Sequence, residues 1–354
     1  MRVLIDVNHP AHVHFFRHPL RTLRERGHDV LVTSRDKEMA LDLLRDLGIR
    51  NITLSSQGGG GLLMLARELV IRDVRLYRVV KEFHPEVMAA IGGTFIAHVG
   101  ALTHVPSLVF YDTENATLQN AITYPLASCV FAPRCYEAWL PERRHVRYDG
   151  YHELSYLHPR YFSPDRRIAE ENGLAGNGNT FFLRLVSWRA NHDIAEQGWT
   201  TELLRRVIRK LSALGRVLIS SEAALPPDLQ EFRYAGSPAQ VHHVLAFCRA
   251  FVGESATMAS ECAVLGVPAI YAAHTGRGYT NEQERRYGLV INVRSLGWSV
   301  LESAMDRILS LPPEQGQHAR ARLLAETIDV AAFVVECLET FPEPLRRYQR
   351  SQTA

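Results

Sequence analysis

The chain has 354 residues, of which 46% are hydrophobic and 22% charged, and its formal net charge is +2. This length and composition describe a globular protein of two ordinary domains and exclude a disordered or fibrous chain. The small net charge argues against nucleic acid as the main partner, and no stretch is long and apolar enough to span a bilayer.

The opening run, Met1-Arg2-Val3-Leu4-Ile5-Asp6-Val7, is charged too early for a secretion signal and reads as a buried strand from Val3 to Val7. A helix follows from His12 to Arg26, with apolar residues at Phe15, Phe16, Leu20 and Leu23 and Gly27 as its cap. Next come a strand at Asp29 to Thr33, a helix at Glu38 to Leu47 and a strand at Ile52 to Leu54. Gly58 to Gly61 is a low-complexity patch. The helix from Leu62 to Phe83 carries a core stripe through Leu62, Leu65, Leu69, Leu76 and Val80. Its other side mixes Arg67, Arg75 and Arg78 with Met64 and Ile71, which reads either as a solvated basic face or as a peripheral membrane contact through 62–81. The alternation continues with a strand at Val87 to Ile91, a helix near Ala97 to Thr103 and a strand at Ser107 to Tyr111. Strands alternating with helices imply a parallel sheet with right-handed crossovers.

Tyr148 to Pro164 is rich in Tyr, His and Pro without periodicity and reads as a linker. Alternation restarts with a strand at Thr180 to Ser187, a helix at Thr200 to Leu214, strands at Arg216 to Ser220 and Phe232 to Ala235, and a helix at Pro238 to Cys248. A short strand, Ala250-Phe251-Val252, then leads into a helix that opens on Ser255, and another strand begins at Ala269. A helix at Ala319 to Leu338 ends the fold. The expected architecture is α/β, two doubly wound Rossmann-like domains facing across a cleft. Residues 1–150 form the first, 151–330 the second, and 331–354 a C-terminal helix that packs back on the first. Five scattered cysteines without a Cys-x-x-Cys pair fit buried thiols in a reducing cytoplasm.

Five constellations carry chemistry. The first is Gly253-Glu254-Ser255-Ala256-Thr257, where a strand turns tightly into a helix. The free N–H groups and positive end of that helix suit a diphosphate, and Glu261, farther along the helix, suits ribose hydroxyls. The alternative is an ordinary strand-to-helix turn. The second is Gly92-Gly93-Thr94 with Asp112, Thr113, Glu114, Asn115 and Asn120, at the C-terminal ends of two strands where ligands of open α/β sheets gather; the alternative is a polar loop with a helix cap. The third is His9, His12, His14 and His18. No Cys or carboxylate joins them at a metal-ligand spacing, so no metal is expected, and one histidine is expected to act as a base or acceptor contact. The fourth is Arg184 with Ser187-Trp188-Arg189-Ala190-Asn191-His192-Asp193, where an arginine could neutralise a leaving diphosphate or form a surface ion pair. The fifth is the basic side of the helix from Leu62 to Phe83. No Gly-x-Gly-x-x-Gly follows a strand and no Walker lysine motif is present, so neither a nicotinamide cofactor nor a P-loop is indicated.

The runs Ile5 to Phe16, Tyr111-Asp112-Thr113-Glu114, Trp188 to Asp193 and Gly253 to Met258 closely resemble the domain of unknown function 354 family, whose members are predicted glycosyltransferases of the GT-B fold. Ala11-His12-Val13 and Gly92-Gly93 through Glu114-Asn115 to Asn120 resemble the N-acetylglucosaminyltransferase that makes lipid II. That resemblance implies that His12, Glu114 and Asn115 lie on an acceptor side, where His14, Gly92, Gly93 and Asp112 are also expected. Ser255, Glu261, Gly266 and Pro268 resemble UDP-N-acetylglucosamine 2-epimerase, which implies diphosphate binding at Ser255 to Thr257 and ribose binding at Glu261. The carboxylate those epimerases carry after the corresponding strand is absent from Gly92-Gly93-Thr94.

The resulting expectation is a metal-independent glycosyltransferase without cofactor. It would move a sugar from a nucleotide-diphosphate donor, UDP-linked, to a hydroxyl acceptor that is lipid-linked or part of a cell-envelope polysaccharide. His12 is the first choice of base and Glu114 the second, with Arg184 or Arg189 helping the leaving group. Sugar-nucleotide 2-epimerisation and non-catalytic sugar-nucleotide sensing are the alternatives.

Overall fold

The structure, a computed structural model, describes residues 1–36, 40–56, 62–186 and 198–353. It divides into two units, Met1–Tyr156 with the segment from Ile328 onward, and Leu157–Thr327. Unit 1 is built on β1 (Arg2–Val7), β2 (Asp29–Asp36), β3 (Asn51–Ser56), β4 (Val87–Ile91), β5 (Ser107–Phe110), β6 (Cys129–Pro133) and β7 (His145–Tyr148). These strands pair in the order β3-β2-β1-β4-β5-β6-β7, all parallel. β1 is apolar on both faces because helices cover both, and Val3, Leu4, Ile5 and Val7 are fully buried.

Crossovers of one hand place the helices after β3, β4 and β5 together on one side. There, Leu76 and Val80 of the helix Leu62–Phe83, Ile96 and Val99 of Thr94–Thr103, and nearby Tyr124 form one core with Leu4, Met88 and Val109 of the sheet. The opposite side is aromatic. Phe15 of the helix Pro10–Glu25 meets Phe110, Phe110 stacks on Phe131, and Phe131 meets Phe333.

Unit 2 contains β8 (Thr180–Leu185), β9 (Arg216–Ser221), β10 (Ala250–Gly253), β11 (Ala269–Ala272) and β12 (Val290–Val293), again parallel, in the order β12-β11-β10-β8-β9. Each sheet reverses its direction of growth once, between β1 and β4 in unit 1 and between β8 and β10 in unit 2. Loops leaving the C-terminal ends of such adjacent strands diverge and open a crevice at the sheet edge.

Several elements differ from the sequence reading. Phe232 to Ala235 is no strand. A 3-10 turn, Pro227–Phe232, occupies its start, and a lone bridge joins Ile219 to Arg233. Pro238 to Cys248 is a 3-10 turn, Pro238–Gln240, followed by a short helix, Val241–Leu245. The helix expected over Ala319 to Leu338 is two helices, Pro313–Ala325 and Val330–Thr340. They separate because Asp329 caps the second, accepting from the Ala332 N–H at 2.9 Å. A further helix, Glu343–Thr353, follows. The expected linker contains the boundary between the units, at Tyr156–Leu157, but it is not an exposed tether, since every residue from Tyr151 to Leu157 is buried. All five cysteines are free, and Cys135 is half-buried rather than buried. No described helix is long and apolar enough to cross a membrane.

Candidate functional site

In unit 2 the sheet edge at β8 and β10 is dominated by the helix Ala256–Leu265. Ser255 caps it, its Oγ accepting from the Met258 N–H at 3.2 Å. The N–H groups of Ala256 and Thr257 then have no partner among the described residues, as the first turn of a helix requires. Gly253 is glycine for a structural reason, because a Cβ there would collide with the Arg184 carbonyl oxygen across the β8–β10 pairing.

Glu254 is not placed as the sequence reading had it. Its Oε2 accepts from the Val186 N–H and its Oε1 from the Trp199 N–H, both at 2.9 Å, so the carboxylate ties Val186 to Trp199. Arg189 and the rest of Ser187 to Asp193 lie outside the described residues. Arg184 turns toward β9 and donates to Ser220 Oγ and to Glu222 Oε1, each at 2.8 Å. Glu261 is buried and paired with His242 Nε2 at 2.9 Å. His242 was missed in sequence, where it read as one residue of a plain helix.

In unit 1 the edge between β1 and β4 is polar and densely bonded. Gly92 and Gly93 both have positive φ, and a Cβ on Gly93 would strike Val109. The Gly92 carbonyl accepts from Tyr111 Oη at 2.8 Å and from Gln119 Nε2 at 2.9 Å, so this glycine pair locks the turn. Asn120 is likewise internal, its side chain donating to Tyr136 Oη. Asn115 is exposed, and Glu114 Oε1 accepts from the Glu137 N–H at 3.5 Å.

Two charged clusters stand out. Asp6 and Arg72 are both completely buried and bonded, with Arg72 Nη2 2.8 Å from Asp6 Oδ1. Thr33 Oγ1 and Asn8 Nδ2 complete the Asp6 shell, and Arg72 lies over the Phe95 ring at 4.3 Å. The sequence signal was available: a carboxylate in an otherwise apolar strand and an arginine at a core position of an amphipathic helix each demand a buried partner.

The second cluster joins Asp112 to His152, whose Nδ1 is 3.1 Å from Asp112 Oδ2. A carboxylate accepts only, so Nδ1 carries a proton, and it is in the neutral ring that Nε2 presents a lone pair. That Nε2 is buried and makes no hydrogen bond among the described residues. Thr113 Oγ1 donates to Asp112 Oδ1. Burial by itself would raise the Asp112 pKa, but His152, the Thr113 hydroxyl and His12 outweigh it and hold the carboxyl at about 2.

His12 does not have the geometry expected of the base. Its Nδ1 accepts from the Asn8 N–H at 3.3 Å, which leaves the proton of the neutral ring on Nε2. Burial, then His9, pushes its pKa down to about 3 against the opposing pull of Asp112. The ring is therefore a neutral donor at pH 7. The other three histidines of that run have local partners. His9 caps the helix Pro10–Glu25 through the Ala11 N–H. His14 stacks on Tyr156, and His18 is buried against Arg17. Among the described residues, no three His, Cys, Asp or Glu side chains are grouped as metal ligands.

The profile of the family described as "Protein of unknown function (DUF354)" matches residues 1–277. An uncharacterised protein of Methanocaldococcus jannaschii is 22% identical over 289 residues, 76% of this chain and 80% of its own. Among solved structures, UDP-GlcNAc 2-epimerase from Neisseria meningitidis bound to UDP-GlcNAc superposes with a TM-score of 0.66 at 11% identity, covering 96% of this chain and 100% of that one. The spinosyn rhamnosyltransferase complexed with spinosyn aglycone superposes with a TM-score of 0.63 at 12% identity, over 96% and 100% of the two chains. The likeness establishes the two-domain Rossmann-like α/β fold of the GT-B class.

Proposed function

This chain belongs to the DUF354 family of proteins of unknown function, and from that premise we propose that it is a glycosyltransferase that moves a sugar from a UDP-linked donor to a hydroxyl acceptor without a metal. The observation that carries the reading is the Asp112–His152 pair at the sheet edge of unit 1. With its ring neutral, His152 has the tautomer of a general base held by a carboxylate and a buried Nε2 that no described residue occupies. His152 Nε2 takes the acceptor's hydroxyl proton as that oxygen bonds the anomeric carbon. The bond from that carbon to the diphosphate breaks, and UDP departs with the electron pair. Asp112 stabilises the imidazolium that forms. The first N–H groups of the helix Ala256–Leu265 hold the diphosphate and its developing charge. The base is thus reassigned from His12 to His152, with neutral His12 as a hydrogen-bond donor beside it.

Support for a sugar nucleotide comes from the named ligand of the epimerase neighbour together with that open helix terminus. Epimerisation is the second reading, and it is weakened by Gly92-Gly93-Thr94, where no carboxylate follows β4. The test is product analysis by mass on a panel of UDP-hexoses and hydroxyl acceptors with excess chelator. Transfer supports the proposal. Formation of the 2-epimer alone, or activity that disappears with chelator and returns with Mg²⁺, refutes it.

A further inference from the structure

Outside the sheet edge, one face of unit 1 is unusual. The helices Leu62–Phe83, Thr94–Thr103 and Thr117–Thr123 lie side by side, tied by His98. Its Nδ1 meets Asp73 at 2.8 Å and its Nε2 the Ile122 carbonyl at 3.3 Å. Leu118, Ile122 and Leu126 are spaced at four-residue intervals and all exposed, Leu118 at 72%. Leu102, one turn beyond His98, is 71% exposed. On the first helix Val70, Val74 and Tyr77 also face solvent. Large apolar side chains scattered singly over a surface are ordinary, but a set gathered on three adjoining helices calls for an occupant.

Charge identifies that occupant. The helices Thr94–Thr103 and Thr117–Thr123 contain no Asp, Glu, Lys or Arg. The first helix exposes Arg67, Arg78 and Lys81. Of its acids, Glu68 is neutralised by Arg35 at 2.6 Å, Asp73 is turned into the bond with His98, and Glu82 lies at the far end. A second copy docking by a two-fold axis would bring this cationic face against a copy of itself, with Glu82 the one carboxylate on that helix unpaired among the described residues. A protein interface core is also depleted of charge, whereas here cations and apolar side chains share one helix face. An anionic lipid surface satisfies both, with the apolar groups entering the boundary and the cations meeting the headgroups.

We propose that this three-helix face docks unit 1 onto an anionic bilayer surface. The proposal is independent of the reaction assigned above, and its readout is not activity. In flotation assays the full chain is expected to rise with phosphatidylcholine vesicles containing phosphatidylglycerol, and less so as salt increases. It is expected not to rise with phosphatidylcholine alone. Each of R67E, R78E and K81E should lower partitioning at least roughly fivefold. L102S combined with L118S should abolish it, while L214S, an exposed leucine of unit 2, should not. All these sites are at the surface, so an unchanged melting curve checks each variant's fold. Equal binding to both vesicle types, no binding, or loss through L214S overturns the proposal. So does sedimentation showing a dimer that L118S dissolves, which would give the face to a second copy.

Discussion

The two sheet edges solve different problems with the same architecture. At β1 and β4, unit 1 gathers ionisable side chains: Asp6 with Arg72, and Asp112 with His152 beside His12. At β8 and β10, unit 2 gathers backbone. The first N–H groups of the helix Ala256–Leu265 are open, while Glu254 and Glu261 are held by protein partners. Backbone dipoles bind charge but cannot move a proton, and an Asp–His pair can. The division implies that substitutions in unit 1 alter turnover and those in unit 2 alter donor affinity.

The largest effect is expected at His152. His152→Gln keeps approximate size but offers no base, and kcat should fall by ~10²–10⁴ with the affinity for UDP unchanged. Asp112→Asn should fall alongside it, because an amide no longer fixes the imidazole tautomer. His12→Asn retains a donor and should cost far less, within about tenfold. Steady-state kinetics on the three variants decides the matter. If His12→Asn is the inactive one and His152→Gln keeps near-full turnover, the reassignment of the base fails.

In unit 2 the corresponding test is Glu261. If Glu261 holds ribose hydroxyls, as its resemblance to the epimerase implies, losing those charge-assisted hydrogen bonds should weaken UDP binding about tenfold or more, with little change in kcat at saturating donor. Calorimetry on Glu261→Gln measures this directly. Because His242 holds Glu261 at 2.9 Å, His242→Asn should reproduce part of the loss. Unchanged affinity in both folded variants would remove this pair from the donor site and leave its burial as its sole role.

The units should also part in acid. His12 and His18, both in unit 1, have their pKa values pushed to about 3, in each case chiefly by burial. Unfolded, they would take up protons below about 6.5 that the folded chain refuses, so their contribution is full above that pH and falls as pH drops toward 3. His98 acts in the opposite sense, since its bond to Asp73 raises its pKa. It adds stability below the ordinary histidine range and loses it as pH rises through the raised value. Asp112, held near 2, matters only below about 4. With two histidines against one, unit 1 should lose stability from pH 7 to pH 5. Hydrogen exchange should show protection falling more in β1 to β7 than in β8 to β12. Equal losses in both sheets would contradict this account.

The alternation of apolar runs with amphipathic helices made the parallel sheets legible, because each buried strand and each helix stripe carries its own period. What escaped was tertiary. β7, His145–Tyr148, is four residues long and alternates polar with apolar, and missing it turned the following segment into a linker. His152 was lost with it, although it stands just beyond a strand end at the functional edge. Glu254 was read as a neighbour of phosphate because it sits in the right turn. Its partners, Val186 and Trp199, lie 68 and 55 residues away in sequence. The helix start at Ser255 was legible because a helix terminus is a local property.

The smallest expected effect sharpens the role of Arg184, which sequence placed on the leaving diphosphate. In the structure its guanidinium is engaged by Ser220 and Glu222. The Glu222 side chain is half exposed, at 51%, and such a pair contributes only about 0–1 kcal/mol. It is therefore weak enough to give way to a diphosphate, and it competes with one. Glu222→Gln removes the competitor and leaves Arg184 in place. UDP should then bind more tightly, by no more than about fivefold, and Arg184→Gln should abolish the gain. The gain should shrink as salt rises, because a diphosphate–guanidinium contact near the surface is screened. If Glu222→Gln weakens UDP binding instead, the carboxylate orients Arg184 for the donor. If neither variant changes affinity, Arg184 braces β8 against β9 and takes no part in the leaving-group chemistry.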